Sequence, residues 1–538
     1  MANFQMTLKH KTLRAAAAAA VTLFSLTIFF ILWGWTTEIP TPAPASSTAE
    51  EISSHVRTLA SDEMMGRGVD TPGIDMARDY IAQEFKKYGL LPGGDHESYL
   101  QRLEVVTGVE VREPSAASLG KSSALAVNAD WTPLGLSASG AAEGELVFVG
   151  YGITAKDYGY DDYAGVDVKG KIVLVLRYEP PPKNSNSPFR KSPQASRHAT
   201  LQAKIANAHD HGAAGMILVD LSLPKAGAKE LISTRRSLGR REANLIAVQI
   251  RREIVEQRLQ AEGLSLSELK NKIDREEKPS STAIPALSAA LTVKLEKITR
   301  STDNVVAVLP GSDPQLKQEN IVIGAHYDHL GLGYFGTPDS SIEGQIHNGA
   351  DDNASGAAVL MTLAARLSRL PDRPPRTIVF VAFTGEELGL FGSRYFVNYP
   401  PFPIALTKAM INLDMVGRMK DNHVIVESVD SAKEFRGLIS RAAQGLEVEM
   451  KPGGGRSDHV SFYNKEIPAL HFFTGSHPDY HRPSDDWEKL NIQGMVKVSD
   501  MVLSLVREIA GAKEGLTFVK VPSSERANPT SPRPAPDP

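Results

Sequence analysis

The chain has 538 residues, 42% of them hydrophobic and 23% charged, with a net charge of −4 and a pI near 6.4. That is enough for a substantial core and more than one domain, and it lacks the basic excess of a general nucleic-acid binder. With no cysteine, disulfides, thiolate metal sites and cysteine nucleophiles are excluded, so any zinc must take nitrogen and oxygen ligands.

Lys9, Lys11 and Arg14 precede an apolar run at residues 15–35. About twenty such residues suffice to cross a bilayer. The positive flank predicts a cytoplasmic N-terminus at 1–14 and export of the remainder. The competing reading is a cleaved signal, with Ala43-Pro44-Ala45 as the small-residue site. Residues 36–49, rich in Pro, Thr, Ala and Ser, read as a linker.

The first folded segment spans 50–119. Within it, 71–88 reads as a helix: Ala77, Ile81, Phe85 and Tyr88 share a face, and Gly89 suits the C-terminal cap. Region 120–285 holds strand-like runs at 144–149, 172–176 and 216–219, a helical stretch at 201–211, and a polar Pro/Ser-rich loop at 180–197. Region 286–511 alternates strands and helices. Its apolar runs at 305–309, 321–325, 377–383, 409–413 and 469–473 predict a largely parallel sheet buried on both faces. Leu360, Leu363, Ala364, Leu367 and Leu370 form a helical stripe, and 495–509 reads as a final covering helix. The tail 521–538 is Pro-rich and polar, a disordered composition. The expected architecture is an α/β domain interrupted by a smaller insert.

Five candidate metal ligands punctuate the third region: His326 in GAHYDH, Asp352 in NGADDNASG, Glu387 in FTGEELG, Asp414 in NLDM and His481 in DYHRPSDD. His326 and Asp414 directly follow apolar runs, Glu386 and Glu387 come just after a third, and Asp352 opens the helix beginning near Ala354. Open α/β sheets collect ligands at the carboxyl ends of their strands, so these distant positions can meet at one sheet edge. Two imidazoles and three carboxylates can hold two zinc ions about a shared carboxylate, and such a pair activates water for hydrolysis. Singly, each has a plainer reading. Asp352 could be a helix N-cap. Glu386 and Glu387 could be a solvated pair. Asp414 resists dismissal, because an Asp ending an apolar strand needs partners for its charge.

The motifs GAHYDH (324–329), NGADDNASG (348–356), GEE (385–387), NLDM (412–415) and YHRPSDD (480–486), with MMGRGVDTPG (64–73) and RSDHVSF (456–462), make residues 50–511 resemble the co-catalytic di-zinc aminopeptidase family. Its relatives include glutamate carboxypeptidase and glutaminyl cyclase. The inserted region resembles a protease-associated domain through GYGITAKDYGYDDYAGVDVKGKIVLV and NAHDHGAAGMILV. The resemblance implies a zinc-exopeptidase-like α/β fold: a mixed, largely parallel sheet with helices on both faces at 50–119 and 286–511, plus a β-rich insert at 120–285.

It further implies two Zn2+ per chain. One would be held by His326, Asp352 and Asp414, the other by Asp352, Glu387 and His481, with Asp352 as the bridge. Glu386 would be the general base, passing a proton from the water between the metals to the leaving amine. Asp328 would orient and polarise His326. Tyr480 would donate to the oxyanion, and Asp485 would orient His481. His329, His347 and His459 read as pocket or structural residues. The expected protein is an extracytoplasmic aminopeptidase, periplasmic or at the cell surface, membrane-anchored or secreted. Its substrates would be peptides. The alternatives are a carboxypeptidase or dipeptidase on the same zinc pair, a glutaminyl cyclase, or a catalytically silent binding protein.

Overall fold

A computed structural model describes residues 47–521 apart from 121–123, 183–186, 188, 190–195, 223–229, 235–242 and 338–339. The expected anchor at 15–35 and the tail after 521 lie outside the described residues. Among the described residues no helix is long and apolar enough to cross a membrane.

The third region's apolar runs lie in a nine-stranded mixed sheet. At its centre Thr377–Phe383, Asn320–His326, Thr407–Leu413 and Ala469–Phe473 stand side by side and parallel. Leu295–Leu309 joins the outer side of Thr377–Phe383 antiparallel, and His423–Glu427 joins Ala469–Phe473 antiparallel. Every residue of Asn320–His326 is buried, as a central strand covered on both faces requires. Alternate side chains serve opposite layers. Ile321, Ile323 and Ala325 pack in the core formed with helices Thr48–Leu59, Gly73–Lys87, Gly356–Ser368 and Ile492–Gly511. Val322 faces the smaller core built on Phe396 and Phe462. Helices therefore cover both faces.

Helix Gly356–Ser368 is buried nearly all round, the mark of an interior helix rather than a surface one. Burying each of its leucines contributes about 1.5–3 kcal/mol. It starts later than expected. Residues Ala350–Ser355 form a wide irregular turn, with Asp352 at φ −106°, ψ 93°. Asp352 is thus not a helix N-cap, and its carboxylate is left for another use.

A second, seven-stranded sheet runs in the order Ala116–Leu119, Thr282–Val293, Gly140–Phe148, Ile172–Leu176, Gly215–Val219, Ile246–Ile250, Trp131–Pro133. Its two faces pack separate cores. Leu100–Val111 leads toward this sheet and Leu295–Leu309 returns from it. The two strands pair antiparallel from Leu295↔Val111 to Val305↔Leu100. The chain leaves and re-enters the larger sheet through one ribbon, so the larger sheet stays continuous.

Candidate metal centre

Because the central strands are parallel, their carboxyl ends lie together. His326 is the last residue of Asn320–His326, and Asp414 follows Thr407–Leu413. Glu386 and Glu387 sit in the turn after Thr377–Phe383. The irregular turn before Gly356–Ser368 brings Asp352 between them, and the segment after Ala469–Phe473 brings His481. His326 Nε2 stands 3.3 Å from both Asp352 Oδ1 and Asp414 Oδ1. His481 Nε2 stands 3.2 Å from Asp352 Oδ2 and 3.3 Å from Glu387 Oε2. The two oxygens of one carboxylate therefore face two different imidazoles, each of which faces a second carboxylate. All five sequence-predicted ligand positions meet here.

The donor atoms suit a metal. One atom each from His326, Asp352 and Asp414 lies within 4.8 Å of the others, and the same holds for His329, Asp352 and Glu387. Imidazole nitrogens and carboxylate oxygens in a buried pocket are the donors zinc accepts when no thiolate is present. Electrostatics agree. Burial alone would lower His326, but Asp414, Glu386 and Asp352 outweigh it and raise the imidazole well above its ordinary value. Burial opposes His481 likewise, and Glu387 with Asp352 pushes it up to about 10. Burial would raise Asp352, yet His326 and His481 hold it well below the usual carboxylate range. His326 likewise holds Asp414 below its ordinary value against the effect of burial.

His329 reads from sequence as a pocket or structural residue. Its Nδ1 lies 2.9 Å from Glu387 Oε1, so the structure puts it beside the second donor group. His481 is the better placed imidazole, because one nitrogen reaches both Asp352 and Glu387. His329 was hidden by its position: three residues after His326 it leaves the strand, and no periodicity marks a loop side chain.

The supporting contacts differ in part from expectation. Asp328 Oδ1 is 3.8 Å from His326 Nδ1, while the Asp328 carbonyl is 3.1 Å from that nitrogen. The Asp328 carboxylate instead accepts the backbone N–H groups of Glu386 at 3.1 Å and Glu387 at 3.3 Å. Burial pushes its carboxyl up to about 7. Asp485 does not orient His481. The carbonyl of Gly336 lies 2.7 Å from His481 Nδ1, and Asp485 Oδ2 accepts from Asp351 and Asp352 backbone N–H. The Tyr480 ring stacks on the His481 ring at 3.8 Å between centroids. His347 bonds the Gln345 carbonyl, and His459 bonds that of Gly454 and stacks on His471.

Sequence reasoning gave Arg67 and Asp351 no role. Arg67 is fully buried and donates to four backbone carbonyls: Tyr327 at 2.8 Å, Leu59 at 2.5 Å, Asn348 at 2.7 Å and Gly349 at 2.9 Å. Burial draws its guanidinium down to about 10, against the pull of Asp328, Asp352, Asp485 and Glu387. Asp351 Oδ2 lies 3.2 Å from His477 Nε2, and its Oδ1 accepts the Gly417 N–H at 2.6 Å. An arginine between Gly66 and Gly68, ahead of an amphipathic helix, was the one available signal for the first.

Residues 304–506 match Peptidase family M28, and residues 142–253 match the PA domain. The M28 match thus lies on residues 304–506 of this chain. The family match covers the central strands and every donor named above. Aminopeptidase YwaD of Bacillus subtilis (strain 168) is 26% identical over 386 residues, covering 68% of this chain and 70% of that protein. The structure of an aminopeptidase from Aneurinibacillus sp. strain AM-1 superposes with a TM-score of 0.55 at 25% identity, covering 88% of this chain and 96% of that one. The zinc aminopeptidase BSAP from Bacillus subtilis has the same fold, with a TM-score of 0.53 at 20% identity over 86% of this chain and 94% of that one. The PA match falls on the seven-stranded sheet, so the PA-like region is an insert between the strands of the larger sheet.

Proposed function

We propose that this chain is an M28 zinc aminopeptidase that holds two Zn2+ about Asp352 and removes N-terminal residues from peptides outside the cytoplasm. The observation that carries the reading is the buried Asp352 carboxylate, whose two oxygens face His326 and His481. His326, Asp352 and Asp414 would hold one ion, and Asp352, Glu387 and His481 the other. The named relatives, aminopeptidases all three, support the choice of substrate terminus. Zinc in such a site supplies a Lewis acid for the scissile carbonyl and acidifies water.

The chain's own residues supply the rest. Glu386, 2% exposed, neighbours Glu387, and adjacent side chains on one turn project differently. One carboxylate is thus available to the metal and the other to water. Glu386 takes a proton from the attacking water as its oxygen bonds to the carbonyl carbon. The same carboxylate then returns a proton to the amine as the C–N bond breaks. Tyr480, whose ring stacks on that of His481, would donate its hydroxyl to the oxyanion. Residues 15–35 would tether the enzyme to a membrane.

The test is elemental analysis of zinc on the purified protein together with an assay on aminoacyl-anilides and their N-acetylated forms. About two zincs per chain, with turnover of the free-amine substrates alone, is the expected result. Cleavage confined to N-blocked peptides would replace this reading with a carboxypeptidase or dipeptidase. A metal-free, inactive chain would leave a binding protein.

A further inference from the structure

Two buried charged residues that the reaction does not use grip one strip of backbone. The strip, residues 348–352, ends at the shared carboxylate. Arg67 Nη1 and Nη2 donate to the carbonyls of Asn348 and Gly349 at 2.7 and 2.9 Å. Asp485 takes the next three amides. Its carbonyl accepts from Ala350 N–H at 2.9 Å, and its Oδ2 accepts from Asp351 and Asp352 N–H at 2.9 and 3.1 Å. Both side chains are wholly buried. The cation thus meets only carbonyl oxygens of the strip and the anion only its N–H groups.

The strip needs such holding. Gly349 has φ +55° and Asp352 departs from helical geometry, so no regular ladder fixes these residues. Each clamp is itself anchored beside another donor. Arg67 Nε binds the carbonyl of Tyr327, next to His326. Asp485 lies four residues after His481, and its Oδ1 accepts from Arg418 Nη2 at 3.0 Å. A guanidinium presents its donors in a rigid fork, which suits it to span several carbonyls from two chain segments.

We propose that Arg67 and Asp485 are a single positioning device: opposite charges that clamp backbone 348–352 from two sides and so fix the Asp352 carboxylate between its two metal sites. The proposal rests on the metal reading above. It makes both residues positioning residues, not catalytic ones.

The experiment uses full-length protein. Asp485→Asn keeps shape and an acceptor oxygen but drops the charge. Arg67→Lys keeps the charge but loses the fork. Zinc affinity by chelator competition, kcat and KM, and Tm of the zinc-free protein are measured for each and for the double variant. The expected result is zinc affinity weaker by about 10–100-fold in Asp485→Asn, the scale for residues that orient metal ligands. With it, kcat falls, KM holds and the zinc-free Tm stays close to wild type. The double variant loses less than the product of the single losses, because both act on one strip.

Wild-type zinc affinity and kcat in Asp485→Asn overturn the proposal, as does a lowered zinc-free Tm with unchanged affinity, which marks packing alone. Losses that multiply in the double variant separate the two residues and overturn the single device. If Arg67→Lys does not accumulate as folded protein, Asp485→Asn decides. A wild-type chain that binds no zinc overturns the metal reading and the proposal together, whereas zinc bound normally by wild type and by Asp485→Asn overturns the proposal alone.

Discussion

Asp328 accepts the backbone N–H of Glu386 at 3.1 Å through Oδ1, and this contact ties the end of one central strand to the turn after its neighbour. The same carboxylate accepts from Glu387 N–H at 3.3 Å. Asp328 therefore sets where the proposed base and a proposed ligand stand, beyond any effect on His326. Asp328→Asn replaces one acceptor oxygen with a donor NH2 group that cannot serve both amides. The expected outcome is a fall in kcat and in zinc affinity of about 10–100-fold each. Steady-state kinetics and chelator competition on the same preparation check it. Wild-type values in both would leave Asp328 a packing residue.

Glu386→Gln should separate metal binding from chemistry. The amide keeps the size of the side chain but takes up no proton. Zinc content should match wild type while kcat falls about 10²–10⁴-fold, the range for a positioned acid–base group. Near wild-type kcat with zinc bound would reject Glu386 as the base.

Asp352→Asn should act on both sites at once. One oxygen would be replaced by an NH2 group, which cannot ligate, and the negative charge that faces both His326 and His481 would be lost. Zinc per chain should drop below the wild-type value, with turnover falling in step. Undiminished, tightly held zinc in this variant would contradict the bridge.

That the five distant positions would meet was legible because His326, Glu387 and Asp414 follow apolar runs that read as strands of a largely parallel sheet; the run at 305–309 proves antiparallel, since nothing in its composition marks strand direction. His326 and Asp414 show this most plainly. The supporting residues were less legible for a physical reason. Asp328 and Asp485 act through backbone N–H groups, and Arg67 through carbonyls, which every residue carries. Nothing in sequence distinguishes the amides of Asp351 and Asp352 from any others. Asp485 was therefore assigned to the nearest side chain of note, His481, whose true partner is the carbonyl of Gly336. The irregular turn at Ala350–Ser355 was read as the start of a helix because its composition suits an N-terminus, whereas its conformation is set by tertiary contacts.

The peptidase domain should lose stability in mild acid through His55. That imidazole is buried between the hydroxyls of Tyr80 and Tyr88, at 2.8 and 2.9 Å. Burial lowers its pKa to about 4, against the opposing pull of Glu84. The unfolded chain binds the proton more readily between pH 4 and 6.5, so the contribution is complete above pH 6.5 and is lost as pH falls to 4. The window corresponds to about 3 kcal/mol. His55→Gln cannot titrate, so the stability gap between wild type and variant should shrink by about that much from pH 6.5 to pH 4. Denaturant unfolding of both proteins, zinc-free throughout, measures it. A gap constant with pH would show that His55 does not titrate in the folded state at these values.

Gly349→Ala should damage the centre more than an ordinary glycine replacement. Gly349 has φ +55°, and a Cβ there would stand 2.2 Å from the Asp352 carbonyl oxygen and 2.3 Å from His329 Cδ2. Backbone conformation alone costs about 1–2 kcal/mol for an L-residue in the left-handed region. The clash adds to this, and it can be relieved only by moving Asp352 or His329. Gly445→Ala is the control: its φ is +87° and nothing lies within 4 Å of the added carbon. Both variants should lose stability in urea, but only Gly349→Ala should also lose zinc affinity and kcat. Equal zinc affinity in the two variants would mean that the 349–352 turn can shift without disturbing the shared carboxylate.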